Sequence, residues 1–285
     1  MKERKKIALL GGNGQISKSI IEDLKKNFLI DVYSRKRMIV KSDLVQCYNF
    51  KNFPKNKNIV AIINCAGPGD PENHKINKNI FKNFNNIDNK VINLIKQNRS
   101  IKYINISTAA VVNIKFSNKI EKARNNYLRA KLHIENKHRK MKKFKIYDLR
   151  VIGFFSRHLN IDYGFFLSKV FYSIKNNKKI KVDSYNNIRD YIGGFDLANF
   201  IIKLINSNFS NKSFNLMSKK TTTKFEILNY FKRNYNLNYE VDQKLNSAKN
   251  NSLKITKTIF TSSNFFRPKY SSFNLIKKEA KKMLQ

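Results

Sequence analysis

The chain has 285 residues, with 58 Lys and Arg against 19 Asp and Glu, a formal net charge of +39. Hydrophobic residues make up 41% and aromatics 12%, enough for a packed core and too much for a disordered chain. At about 100–200 residues per domain, the length suits one large domain or two small ones. Two cysteines, Cys47 and Cys65, and four scattered histidines give neither a disulfide framework nor a metal-ligand spacing. No metal is expected, and a reduced, cytoplasmic protein is. The basic start resembles a signal peptide only until Gly11, because its apolar run stops short of the ~7–15 residues a signal core needs. No segment approaches the ~18 apolar residues of a membrane span, so no membrane association is expected.

The charge itself invites a nucleic-acid reading, since counterion release rewards clustered cations. Its distribution argues otherwise. Basic residues run from Lys2 to Lys282 without a tail or a long block, and Lys far outnumbers Arg. The pattern reads as a solvated surface that excludes a nucleic-acid partner and favours anionic small ligands.

In chain order, Ile7–Leu10 reads as a strand that runs into a glycine loop and a helix over about Ile16–Asn27. Leu29–Tyr33 reads as a second strand and Val45–Tyr48 as a weak third. Asn58–Cys65 is a continuous apolar strand of the kind buried in parallel sheets. A helix over Ile80–Gln97 follows, then a strand at Tyr103–Ser107, a helix over Asn125–Lys140 and a strand at Lys145–Val151. Strands alternating with helices predict an α/β fold, a doubly wound parallel sheet of Rossmann type. The second half is less regular. Helices are expected over Phe165–Ile174, Phe195–Ile205, Thr223–Tyr235 and Ser271–Leu284, with no internal repeat and no linker. The expected organisation is one unit. Its dinucleotide-binding core covers about 1–160 and 185–215, and a smaller substrate lobe covers about 161–184 and 216–285.

Three features carry chemistry. Gly11-Gly12-Asn13-Gly14-Gln15-Ile16-Ser17 joins the first strand to the first helix. Glycines there let a pyrophosphate approach the helix N-terminus, where free N–H groups and the dipole meet it. Next, Ser107 and Thr108 place two hydroxyls at a strand end. Finally, Tyr127 and Lys131 stand at i and i+4 of one helix, on one face. A phenol beside an ammonium can move a proton, and a nearby hydroxyl can hold a substrate oxygen. The end of the second strand is where a carboxylate would bind the adenosine ribose and where a 2′-phosphate would need a cation. Asp31 falls inside that strand, Ser34 takes the ribose-facing position, and Arg35 and Arg37 follow. That arrangement favours NADP over NAD.

Together these features resemble the extended branch of the short-chain dehydrogenase/reductases, the NAD-dependent epimerase/dehydratase family. Gly11, Gly14 and Ser17 fall on its Gly-x-x-Gly-x-x-Gly loop. Thr108, Tyr127 and Lys131 fall on its catalytic Ser/Thr, Tyr and Lys, with Ser107 beside them as a substrate contact. Asn64-Cys65-Ala66-Gly67 resembles the loop that touches the cofactor, and Leu149–Gly153 the turn bordering the nicotinamide. Arg189-Asp190-Tyr191-Ile192 with Asp196-Leu197-Ala198 resembles the family's Arg-Asp-Tyr/Phe-Ile-His segment, whose Arg contacts a sugar-nucleotide diphosphate. Phe214-Asn215-Leu216 with Thr222 and Glu226 resembles the stretch after it. The chain departs from the family at Ser17, expected to loosen helix–strand packing, at Val111-Val112-Asn113, and at Gly193-Gly194 in place of His.

The resemblance implies an NAD(P)-dependent enzyme acting on a nucleotide-linked sugar, with a 4-keto-sugar reductase favoured because the chain is short. Implied cofactor contacts are Gly11, Asn13, Gly14, Gln15, Ile16, Ser34, Arg35, Asn64, Cys65, Ala66, Gly67, Tyr127 and Lys131. Lys131 is expected to lower the phenol's pKa. Epimerisation uses the same residues, a homodimer is open, and a non-catalytic dinucleotide-binding sensor or scaffold remains the reading from another class.

Overall fold

The computed structural model describes residues 4–36, 40, 42–55, 58–68, 79–113, 121–243, 245 and 265–285. Seven strands form one sheet: β1 (Lys6–Leu10), β2 (Leu29–Ser34), β3 (Val45–Asn49), β4 (Ala61–Asn64), β5 (Lys102–Thr108), β6 (Ile146–Val151) and β9 (Lys212–Leu216). Their order is β3-β2-β1-β4-β5-β6-β9, and every pairing is parallel. The chain therefore reverses its winding between β1 and β4, where open α/β sheets leave a crevice at the strands' carboxyl ends.

Strand alternation sends the side chains of β1 to two layers. Ile7 and Leu9 pack with Ile20, Ile21 and Leu24 of α1 (Gln15–Leu24) and with Leu197, Ile201 and Leu204 of α5 (Gly194–Asn206). Ala8 and Leu10 face the other way, toward Val91, Ile92 and Ile95 of α2 (Ile80–Gln97). Helix α3 (Glu121–Lys140) lies on that second face beside α2, through Ala130 and Ile134 against Ile80 and Phe84. A third cluster joins α4 (Phe166–Lys175), α6 (Lys224–Tyr235) and α7 (Ser272–Leu284), centred on Phe155, Phe171 and Phe231. Phe171 and Phe231 meet edge to face at 5.2 Å. Short pairings frame this cluster. β7 (Ile180–Val182) pairs parallel with β11 (Tyr239–Val241), and β8 (Ile188–Arg189) antiparallel with β10 (Thr222–Thr223).

Helix ends follow local chemistry. Thr223 and Glu226 close a capping box at the start of α6, and the Ser271 side chain caps α7. Two carboxylates fasten the C-terminal segment. Asp190 accepts from the Ser218 N–H at 3.2 Å and the Ser272 hydroxyl at 2.9 Å, and Asp196 accepts from the Lys269 N–H at 2.8 Å.

The expected helices and main strands are present, with α1 ending at Leu24 rather than Asn27. Unforeseen is β9, the seventh strand, because only Phe214 and Leu216 of Lys-Ser-Phe-Asn-Leu are buried. Gly193 and Gly194 permit close packing of two helices. A Cβ on Gly193 would lie 2.5 Å from Leu275 Cδ1, and one on Gly194 would lie 2.5 Å from the Ser19 carbonyl oxygen. The second neighbour is backbone and cannot swing away. Gly194→Ala is therefore expected to push α1 from α5 and cost about 1–3 kcal/mol. Urea unfolding followed by circular dichroism measures it, and an unchanged midpoint would refute it.

Candidate functional site

The glycine loop runs from the end of β1 to the start of α1 at the winding reversal. Gly11 adopts φ +85°, and a Cβ there would lie 2.7 Å from Ala66 Cα, so only glycine fits. Gly14 caps α1 without a side-chain hydrogen bond, which leaves the first-turn N–H groups open to a ligand. Asn13 and Gly14 are exposed, while Gln15 and Ile16 are half-buried. An exposed backbone without bulky side chains at a helix's positive end can accept a pyrophosphate. The residues present fit a dinucleotide. Ser17 does not loosen this loop as expected. It is fully buried, and its hydroxyl donates to the Gly11 carbonyl at 2.8 Å, tying helix to loop where a glycine could not.

At the end of β2, Asp31 is buried within the sheet. The Ser34 hydroxyl and the Asn13 amide both donate to the Lys36 carbonyl, the latter at 2.9 Å, and hold a turn that carries exposed Arg35. Arg37 lies outside the described residues.

Across the winding reversal, the Asn64 carbonyl oxygen (Oδ1) accepts from the Ala66 N–H at 3.1 Å, shaping the Asn64–Gly67 loop against Gly11. Burial pushes the Cys65 thiol up to about 12, against a Ser17 hydrogen bond and the Lys131 charge, so it is no nucleophile at neutral pH. Phe84 of α2 lies over Gly67, where a Cβ would come within 2.9 Å of its ring. The same ring meets Tyr127 edge to face at 5.6 Å and carries the Lys131 ammonium 4.5 Å from its centroid. Lys131 donates to the Ile106 carbonyl at 2.7 Å, two residues before Thr108 at the end of β5. Burial pulls the Lys131 ammonium down to about 8, partly opposed by nearby acids led by Asp148. Burial also pushes the Tyr127 phenol up to about 12, opposite to the expected direction. The ammonium sits over the ring, 6.0 Å from its centroid, and bonds to backbone.

Ser107 requires a correction. Strand alternation puts it on the face of Tyr103 and Asn105, beneath α3, where its hydroxyl donates to Glu135. Glu135 also accepts from Arg150 Nε at 2.8 Å and Nη2 at 2.6 Å, so Ser107 belongs to a buried tie and not to a substrate surface. Thr108 is half-buried, and its oxygen accepts from the Ala110 N–H at 3.3 Å, leaving its own proton to donate. Arg189 stands in β8, with its guanidinium 4.9 Å from the Phe166 ring centroid. Its buried Nε has no hydrogen-bond partner among the described residues. Sequence reasoning missed Phe84, Phe166 and Glu135. Only Glu135 had a signal, one turn beyond Lys131 on the same stripe.

The family model of the NAD dependent epimerase/dehydratase family matches residues 7–216. The chain belongs to the NAD-dependent epimerase/dehydratase family. Solved structures with the same fold include UDP-glucose 4-epimerase from Thermotoga maritima with UDP-glucose, 14% identical. It has a TM-score of 0.75, covering 98% of this chain and 100% of that one. Another is dTDP-glucose 4,6-dehydratase from Bacillus anthracis in complex with NAD, 13% identical, TM-score 0.73, covering 97% and 96%. A third is an epimerase from Methanothermobacter thermautotrophicus, 12% identical, TM-score 0.77, covering 98% and 92%. No curated protein matches the chain in sequence.

In this member of the epimerase/dehydratase family, a buried charged network adjoins the site. His138 of α3 has both ring nitrogens on carboxylates, Asp148 at 2.9 Å and Asp88 at 2.8 Å, so the ring carries both protons. Burial alone would lower its pKa, but Asp148 and Asp88 outweigh that and push it up to about 9. Both carboxylates are held below their usual 3.8, because His138 and its neighbours outweigh burial. The folded imidazole holds its proton more tightly than the unfolded one. Its contribution to stability is therefore full below the ordinary 6.5 and disappears as pH rises through about 9. The carboxylates' contribution is lost only as pH falls below 3.8. Thermal midpoints across pH should show the alkaline decline in the wild type and lose it in His138→Gln. Parallel curves for the two proteins would contradict the charged ring.

Proposed function

We propose that the protein is an NAD(P)-dependent oxidoreductase or epimerase acting on a nucleotide-linked sugar, with reduction of a 4-keto sugar as its main activity. The observation that carries this reading is Phe84 against Gly67, with Tyr127 edge-on to its ring and the Lys131 ammonium over it, beside the Gly11 loop at the sheet's carboxyl end. Gly11, Asn13, Gly14, Gln15 and Ile16 would hold the pyrophosphate, and the Asn64–Gly67 loop would border the cofactor. When bound, the nicotinamide supplies or accepts the hydride. Thr108 donates to the reacting oxygen and fixes its place. Tyr127, which keeps its proton across neutral pH, gives that proton to the oxygen as negative charge develops on it. Lys131 binds the ribose hydroxyls and stabilises the phenolate left behind. Residues 161–184 and 216–285 form the substrate lobe in this reading, and Arg189, whose Nε has no hydrogen-bond partner among the described residues, would meet the diphosphate from the core's 185–215 segment. The enzyme works in the cytoplasm, in keeping with the free thiols of Cys47 and Cys65.

Tyr127→Phe keeps the ring against Phe84 and removes only the phenol. Turnover of a nucleotide 4-keto sugar, followed by nicotinamide absorbance, should fall about 10²–10⁴-fold while dinucleotide affinity stays unchanged. Near-wild-type turnover in that variant would refute Tyr127 as the proton donor.

The cofactor preference rests on the end of β2. Ser34 brings no carboxylate to the ribose, Asp31 is buried, and Arg35 is exposed on the turn that Ser34 and Asn13 hold. NADPH should bind more tightly than NADH by at least tenfold, about 1.4 kcal/mol. Arg35→Ala should erase most of that gap and barely change NADH affinity in calorimetric titrations. Equal binding of both by the wild type would refute the phosphate site.

A further inference from the structure

We infer that His138 is a positioning residue for the dinucleotide site, setting the Asn64–Gly67 loop through a buried chain of hydrogen bonds. The chain starts at the His138 ring, whose Nε2 donates to Asp88 Oδ1 at 2.8 Å. The same carboxylate oxygen accepts from the Tyr103 hydroxyl at 2.9 Å. That hydroxyl accepts from Asn64 Nδ2 at 3.0 Å, and Asn64 Oδ1 accepts from the Ala66 N–H at 3.1 Å. Ala66 is the residue that a Cβ on Gly11 would strike first. Three elements of the second face, α3, α2 and β5, thus converge on one side chain at the end of β4, and that side chain shapes the loop.

The groups facing His138 come from every element packed on it. They are Asp88 of α2, Asp148 of β6, Tyr103 of β5 and the flanking Lys137 and Arg139 of α3. Lys137 and Arg139 occupy the outer oxygens, at 2.7 Å on Asp88 and 2.6 Å on Asp148. Asn105 adds a bond to Asp148 at 2.7 Å. With these oxygens engaged, Asp88 has one free way to meet Tyr103, and the phenol's direction is set. Burying a charged ring between two carboxylates, all three fully buried, costs desolvation that an apolar trio would avoid. What the charged trio adds is direction, and the bond it directs leads to the loop.

This inference rests on reading the loop as part of a dinucleotide site. The test uses the full-length protein and its variants His138→Gln, Tyr103→Phe and the double variant. NADPH and NADH dissociation constants are measured at neutral pH, with hydrogen exchange of the Ala66 amide alongside. Each single variant should weaken dinucleotide binding about three- to tenfold and speed Ala66 exchange by a similar factor. The double variant should be no weaker than the singles, because both cut one chain. Independent losses that multiply, or unchanged binding and exchange in both singles, would overturn the inference. If His138→Gln fails to fold, Tyr103→Phe alone decides, since it deletes one hydroxyl and keeps every charge. If the wild type binds neither dinucleotide, the site reading fails, and Ala66 exchange still decides whether His138 sets the loop.

Discussion

Helix α3 contributes only Ala130 and Ile134 as buried apolar residues among those described, yet it carries both Tyr127 and Lys131. Its place on the sheet depends on the stripe below them. Lys131 reaches the Ile106 carbonyl, Glu135 reaches Ser107 and Arg150, and His138 reaches Asp88 and Asp148. These contacts fall at three successive levels along one helical face, as 3.6-residue periodicity requires. Hydrophobic packing tolerates small slides, whereas buried ion pairs do not. Removing one partner of such a pair strands the other and costs about 3–5 kcal/mol. The register of α3, and hence the depth of the phenol and ammonium, is fixed by charge more than by apolar area.

The winding reversal then brings the parts together. Because β1 and β4 are neighbours, the loop after β1 and the loop after β4 lie side by side, and Gly11 can touch Ala66. β5 is next in the sheet, so Thr108 and the Lys131 anchor at Ile106 sit one strand further on. No side chain other than hydrogen fits at Gly11, and Ser17 closes the loop from the helix side. Asp190 and Asp196 tie the returning C-terminal segment to the same end of the molecule. Neither aspartate is free for ligands.

Much of this was legible because it follows periodicity. Buried parallel strands read as β-branched runs, and α2 spans the residues its pattern gives. The Tyr127/Lys131 pair shows at four-residue spacing. The polar seam did not show. Asp88 interrupts the apolar face of α2, and Glu135 and His138 lie on α3, which is polar on most of its described face, so a one-dimensional pattern assigns such residues to solvent. Their partners Asn105, Ser107, Asp148 and Arg150 lie on strands that alternate them with apolar residues, so the strands read clearly while the reason for the polar positions did not. Ser107 was misread for the same cause. A hydroxyl beside Thr108 suggests a substrate contact until alternation places it under α3. β9 escaped because an edge strand with two buried residues carries too little pattern.

The protonation of the pair bears on the direction of the proposed chemistry. With Lys131 brought to about 8 and Tyr127 to about 12, the neutral-pH state is a protonated phenol beside an ammonium still mostly charged. The ammonium's bond to Ile106 and its seat on Phe84 keep it from neutralising the phenol directly. Such a phenol is a poor base in its resting form and a ready acid once charge builds on an oxygen in contact with it. Proton donation to a carbonyl oxygen is the step of ketone reduction, whereas alcohol oxidation must first find a phenolate. Burial alone raises the phenol, so the pocket keeps it neutral until an oxygen that gathers charge takes the proton. The resting acid is thus the product of one desolvated site, built from Phe84, Gly67 and the inner stripe of α3.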